Sequence, residues 1–331
     1  MFNTISKDLM VAGIAVAEKV GSLPWKDRVT KENSMLKGKD TATPDAIGEK
    51  IAVEMFEGIS DCYKKQINLI LDPNENKYYQ LGKDSDKKIW AYADPVDGTI
   101  KLAGLGSDLQ KGIYRLGNDG GWGVGLALTE PTTKSLDELT INDFVCSAII
   151  DGNPSKVPFA PENAYTQIHE NGEVYSTTLL NNECSLVSTS TQTNLEEGVI
   201  IFDGFQAFDR KSAPKGAGEL AGRVWSKLAN RNEGGAFDLW RTYGNISSFL
   251  KNQLGVQGVY ESQGVAHVTI NENLSNLIPL YWINKGAGGY SVDFEGRDLG
   301  ERKLTGTRPN VILAANKSIK RKILNLISEC S

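Results

Sequence analysis

The sequence predicts a layered α/β fold whose sheets mix parallel and antiparallel strands. Three observations carry that expectation. Apolar runs of strand length alternate along the chain with longer stretches at helical spacing. Several of the short runs are close enough to pair as hairpins, with Asn171-Gly172 the clearest turn. The composition, 40% hydrophobic and 23% charged over 331 residues, is that of a globular protein with one large domain or two lobes.

The elements follow in order. The first 60 or so residues read as two helices split by a polar loop. Met10-Val11-Ala12-Gly13-Ile14-Ala15-Val16-Ala17 is small and apolar, suited to close helix packing. Residues 49–59 place Ile51, Ala52, Met55, Phe56 and Ile59 at helical spacing. Between them, Thr43, Pro44 and Asp45 are helix-start residues. Ile67-Asn68-Leu69-Ile70-Leu71 is a short strand, residues 89–93 the next, and residues 121–129 and 144–150 two more. Short strand-like pieces flank Asn171-Gly172. Gly198-Val199-Ile200-Ile201-Phe202 has the pattern of a buried strand. Residues 218–229 and 236–250 read as helices, and 256–260 and 266–270 as strands. A helix over 276–285 stops at Gly286-Ala287-Gly288-Gly289. A strand at 311–315 and a basic helix at 317–327 close the series. Turn chemistry at Asp151-Gly152-Asn153-Pro154 divides the chain into an N-terminal α+β lobe, 1–150, and a C-terminal α/β lobe, 151–331.

Composition also excludes functions. A formal charge of −5 argues against binding a nucleic acid polymer, which needs a basic surface. No apolar run approaches the roughly 20 residues that cross a bilayer. The start of the chain lacks the features of a signal peptide, so a cytoplasmic location and no membrane association are expected. Cys62, Cys146, Cys184 and Cys330 form no CxxC pair, and His169 and His267 stand alone, which disfavours a zinc site. Two isolated histidines also leave little room for a Ser-His-Asp or Cys-His hydrolase. Hydrolytic chemistry in this chain has to run on carboxylates and a metal.

Residues 90–99, Trp-Ala-Tyr-Ala-Asp-Pro-Val-Asp-Gly-Thr, are suited to that chemistry. An apolar strand ends in Asp94, and Asp97 follows three residues later. Two carboxylates with the Val96 carbonyl between them are hard oxygen donors for a cation such as Mg²⁺. Gly98 and Thr99 follow at what reads as a helix start, where backbone amides welcome an anion. Asp-Pro-x-Asp-Gly is also good turn chemistry; the strand before it and the threonine after it favour the metal and phosphate reading. The run Gly121-x-Gly123-x-Gly125 lies in a strand pattern and is read as strand, not as a nucleotide loop.

This segment resembles the Trp-x-x-Asp-Pro-hydrophobic-Asp-Gly-Thr signature of the inositol monophosphatase family. That superfamily of Mg²⁺-dependent, lithium-sensitive phosphatases also includes fructose-1,6-bisphosphatases and phosphoadenosine phosphatases. The resemblance implies an α-β-α-β-α sandwich of the sugar-phosphatase type. It implies that Asp94, Val96 and Asp97 bind metal, that the Gly98 and Thr99 amides hold the phosphate, and that the Thr99 hydroxyl orients the attacking water. Gly234-Gly235-Ala236-Phe237-Asp238-Leu239 resembles a family helix start that contacts the sugar, which makes Gly235 and Ala236 substrate residues. Residues 285–293 resemble the later Glu-Ala-Gly-Gly-x-Val-x-Asp stretch. Lys39, Asp40, Thr43 and Asp45 resemble an upstream loop that tunes a water, with one residue missing.

The chain departs from the family twice. Where the family has an adjacent Glu-Glu pair after a strand, this chain has Asp72-Pro73-Asn74-Glu75. Position favours Asp72 as the metal-binding acid and spacing to Asp94 favours Glu75; both stay open. Where the family has a third metal-binding Asp, counting back from Gly288 lands on Asn276, which offers an amide oxygen without the charge. The expected activity is Mg²⁺-dependent hydrolysis of a small phosphate monoester, an inositol phosphate, sugar phosphate or phosphoadenosine nucleotide. The departures also motivate the alternative of a weak or inactive member that binds metal and phosphate. A homodimer is a further expectation from the resemblance.

Overall fold

The computed structural model describes residues 4–21, 43–71, 78–97, 123–151, 165–170, 172–178, 184–204, 215–241, 254–256, 264–272, 274–306 and 308–330. The chain opens with helices α1 (Thr4–Gly21) and α2 (Thr43–Tyr63). Strands β1 (Ile67–Ile70), β2 (Tyr79–Leu81), β3 (Ile89–Asp97), β4 (Gly123–Thr129) and β5 (Phe144–Asp151) follow. Next come β6 (Tyr165–Glu170), β7 (Glu173–Thr178), β8 (Cys184–Thr189) and β9 (Val199–Asp203). Helix α3 (Ala217–Ala229) precedes β10 (Asp238–Arg241), β11 (Leu254–Val256) and β12 (Gly264–Thr269). Helix α4 (Leu274–Gly286), β13 (Tyr290–Asp293), β14 (Val311–Ala314) and α5 (Lys317–Ile327) complete the described elements.

The strands form two sheets. The larger runs β11-β8-β7-β6-β5-β4-β3-β1-β2, and the smaller runs β10-β9-β12-β14-β13. In the larger, only the β1–β3 pair is parallel; in the smaller, β10, β9 and β12 run parallel and the rest antiparallel. The mixed direction expected from the sequence is therefore present in both sheets.

Alternating burial on the strands builds five layers. On β3, Ile89, Ala91 and Ala93 face Leu9, Ala12 and Val16 of α1 and Ala52 and Phe56 of α2. Trp90 and Tyr92 face the opposite way, onto Leu277, Ile278 and Tyr281 of α4. Across α4, Val311 and Leu313 of β14 close the same core. The far face of the small sheet, with Ile200, Phe202, Ala266 and Val268, packs on Val224 and Leu228 of α3 and Ile319 and Ile323 of α5. The order is α1/α2, large sheet, α4, small sheet, α3/α5, an α-β-α-β-α sandwich. Because α4 lies between two sheets, Leu277, Ile278, Leu280, Tyr281 and Ile283 are all buried and no apolar stripe of ordinary width remains.

Turn chemistry fixes the connections. The β6–β7 hairpin pairs Glu170 with Glu173, and Gly172 takes φ +86°, the left-handed backbone that a two-residue hairpin loop needs. Helix α4 ends in bonds from Gly288 N to Lys285 O and from Gly289 N to Asn284 O, with Gly288 at φ +95°.

One expectation needs correction in part. Residues 236–250 read as a helix, but Asp238–Arg241 is strand β10, parallel to β9 in the register Asp238↔Val199, and residues 242–250 lie outside the described residues. Sheet pairing with a partner some forty residues away overrides the local apolar spacing. Strands β5 to β8 continue one sheet past residue 150. The second sheet starts at β9. No helix among the described residues is long and apolar enough to cross a membrane.

Candidate metal and phosphate site

The Asp94–Asp97 segment is not a loop beyond the strand; it is the last part of β3. Asp94 opposes Gly125 and Asp97 opposes Gly123, so three steps along β3 match two along β4. The extra residue makes a β-bulge. Its effect on side-chain direction is decisive. In a regular strand, residues three apart point to opposite faces. Gly123 and Gly125, two apart, share one face of β4, so the bulge brings Asp94 and Asp97 onto one face as well. Val124, Leu126 and Leu128 pack toward α1 and α2, whereas Ala127 packs toward α4. The carboxylates therefore lie on the α4 face, and each has a glycine across from it, with no side chain to crowd a ligand.

Local contacts hold the bulge. The Val96 amide donates to Asp94 Oδ1 at 3.3 Å, an Asx-turn bond. Val96 itself packs into the α1/α2 core. Gly48 of α2 lies directly over it: a Cβ there would come within 3.0 Å of both Pro95 Cβ and Val96 Cγ2. Asp97 is 8% exposed and Asp94 is half-buried. Asp45 sits in the first turn of α2, three residues before Gly48, which places its backbone at this end of the sheet. Its side chain lies outside the described residues.

Helix α4 is aimed at the same end. Trp282 Nε1 donates to Ile141 O at 3.0 Å, and the Tyr281 hydroxyl lies 3.2 Å from Asn142 Oδ1. Those partners immediately precede Phe144, which pairs with Thr129 at the far end of β4 from Gly123. The first turn of α4, with the backbone of Asn276, thus points toward the Gly123–Asp97 end, about 9 Å along the axis from Trp282. The Asn276 side chain lies outside the described residues, as do Asp72, Glu75, Gly98 and Thr99 entirely.

The small sheet brings residues that the sequence reading missed. β9 and β12 run parallel, and their last residues, Asp203 and Thr269, are in register. Phe202 and Val268 pack on the α3/α5 side, so Asp203 and Thr269 face α4. Thr269 Oγ1 donates to Glu272 Oε2 at 3.1 Å, and Glu272 lies two residues before α4 begins. Asp203 is 1% exposed and Glu272 is also buried. A visible signal existed: Val199-Ile200-Ile201-Phe202-Asp203 is an apolar run ending in a carboxylate, as is the run into Asp94.

Gly235 and Ala236 are not at this end. Ala236 N bonds Leu228 O at 2.8 Å, and Phe237 N bonds Gly198 O at 3.0 Å, at the start of β9. Asp203 lies four residues along the strand, about 13 Å away. A Cβ on Gly235 would come within 2.6 Å of Leu228 O, so this glycine serves the close exit from α3. Among the described residues no group of three or more His, Cys, Asp or Glu is close enough to hold a metal ion. The structure unites Asp94, Val96 and Asp97, and sets the start of α4, Asp203 and Glu272 at the same end of the central layer.

No family model matches the sequence, and no curated protein matches it. Solved structures do match over the whole chain. The extragenic suppressor protein SuhB of Bartonella henselae superposes with a TM-score of 0.59 at 16% identity, covering 99% of each chain. A Leishmania major fructose-1,6-bisphosphatase gives 0.60 at 11% identity, covering 98% of this chain and 92% of its own. An inositol monophosphatase from Zymomonas mobilis gives 0.59 at 13% identity, covering 98% and 100%. The chain has the fold of these proteins.

Proposed function

We propose that this chain is a phosphoric monoester hydrolase that uses Mg²⁺ at Asp94, Asp97 and the Val96 carbonyl. The observation that carries this reading is the bulge that turns both carboxylates to one face, opposite two glycines. Two carboxylates and a carbonyl are an all-oxygen donor set, which suits a hard cation and not a soft one. When bound, the metal offsets the charge of the phosphoryl group and makes water more acidic.

The chain's own residues do the rest. Gly98 and Thr99 hold the phosphate through their amides, and the Thr99 hydroxyl orients water. An acid at Asp72 or Glu75 accepts the proton, and Asp45 is the further catalytic candidate. Asp203 and Glu272 supply carboxylates at the start of α4, where Asn276 supplies none. The neighbours' names point to a sugar or polyol phosphate; a phosphoadenosine nucleotide is the further substrate class. Phosphate release from a panel of such esters, with Mg²⁺ and with EDTA, tests the reading. Release that EDTA abolishes is expected; a folded chain that releases none from any ester refutes it.

The absence of the Glu-Glu pair and the neutral Asn276 favour a second reading, a chain that binds metal and phosphate but turns over poorly. Calorimetric Mn²⁺ binding without phosphate release would select it.

Gly48 gives an independent check. Gly48→Leu has no room over Pro95 and Val96, so it must push α2 away from the bulge or shift the bulge. Mn²⁺ affinity is expected to fall by about tenfold or more, although Gly48 ligates nothing. Unchanged affinity in the folded variant would mean that this contact does not position the carboxylates.

A further inference from the structure

A cavity of about 410 Å³ lies at the C-terminal edge of the small sheet, on its α3 side. Lys215, Arg223 and Arg308 line it, with Asn271, Asn310 and the start of α3, and Glu219 is the one carboxylate among its described lining residues. Three cations against one anion leave this described lining positive. Arg223 is held in place: its Nε and Nη2 donate to the Cys330 carbonyl at 3.1 and 3.0 Å. Asn310 is held too, its Oδ1 accepting from Asn271 N at 3.0 Å. Lys215 and Arg308, by contrast, make no ion pair or hydrogen bond among the described residues.

Arg308 is a half-buried residue without an ion-pair partner among the described residues, a setting in which an anion at its guanidinium is favourable. The 13-residue helix α3 adds to the same field. Its N-cap is Gly216, at φ +86°, which has no side chain to cap the first-turn amides. The volume exceeds that of a bare phosphate ion and falls within the usual range for small-molecule sites. We propose that this cavity binds the phosphoryl group of a small phosphorylated molecule, through Lys215, Arg308 and the first turn of α3, apart from Asp94 and Asp97. The phosphoryl group belongs either to a separate effector or to the second phosphate of a bisphosphate ester.

Calorimetric titration of the full chain in excess EDTA tests this without metal. Inorganic phosphate and glucose 6-phosphate are the probes. Saturable one-to-one binding is expected, weakened about tenfold or more by Lys215→Ala and by Arg308→Ala. Asp94→Asn should leave it unchanged. No saturable binding, equal binding in Arg308→Glu, or loss of binding in Asp94→Asn overturns the proposal. Lys215 is exposed, so its variant carries the test if Arg308 variants fold poorly. With Ca²⁺ in place of EDTA, fructose 1,6-bisphosphate separates the sources. A single molecule spanning both sites is then weakened by Arg308→Glu and by Asp94→Asn; a separate effector is weakened by Arg308→Glu alone. These readouts do not depend on phosphate release, so the proposal and the hydrolase reading can fail separately.

Discussion

Asp94→Asn is expected to abolish metal-dependent phosphate release, lowering kcat/KM by at least about 100-fold. Changes one shell away from a metal already cost roughly 10- to 100-fold, and Asp94 is proposed to touch it. The substitution is nearly isosteric. An asparagine Oδ1 can still accept from the Val96 amide, so the bulge and the strand register should survive. The variant should therefore unfold in urea at close to the parent midpoint while Mn²⁺ binding, measured by calorimetry, falls steeply. Metal affinity equal to the parent's would remove Asp94 from the site and, with it, the hydrolase mechanism built on this bulge.

The largest expected effect on stability is at Asp293, which ends β13 and is 1% exposed. Its Oδ1 accepts from the backbone of Arg297 at 2.9 Å and of Glu295 at 3.0 Å. Its Oδ2 accepts from Arg297 Nε at 2.8 Å and from Arg302. Asp293→Ala leaves Arg302 and two amides without their acceptor and should cost about 3–5 kcal/mol. That is a large part of the 5–15 kcal/mol typical of a whole domain. Burial pushes the Asp293 pKa up, but the hydrogen bonds from Arg302 and Arg297 pull it down further, and the net shift is downward. A lowered native pKa adds stability above the unfolded value near 4. That contribution is lost as pH falls from about 4 through the lower native value. Urea midpoints between pH 3 and 6 should show this loss in the parent and a flatter profile in Asp293→Asn. A parent profile no steeper than the variant's would contradict it.

The sequence announced the layered fold because its strongest signals are local. Trp90-Ala91-Tyr92-Ala93 alternates large and small, and the sheet buries the two sets on opposite faces. Likewise the α5 face of Ile319, Ile323 and Ile327 repeats every four residues and is buried as a unit. The failures are non-local. Asp238–Arg241 becomes a strand only because β9 offers an edge. β2 and β11 have three residues each, too few to show a period. Asp94 and Asp97 were recognised as a pair, yet their spacing alone puts them on opposite faces of a strand. The bulge that reverses this depends on pairing with β4, as does the reason for Gly123 and Gly125. Asp203 and Glu272 were missed because separate segments bring them to the start of α4.

The position of α4 has a consequence for how the chain is made. Trp90 and Tyr92 share one core with α4, and α4 in turn has a sheet on each side. A nascent chain can pair β1 to β8 and dock α1 and α2, but the part of the sheet's other face that α4 covers stays apolar and open until Gly286 has been synthesised. During that interval the intermediate presents the kind of surface that chaperones hold and that aggregates nucleate on. The two sheets can close on each other once that helix is present, and the α4 face of the metal-facing end of β3 is covered at the same stage.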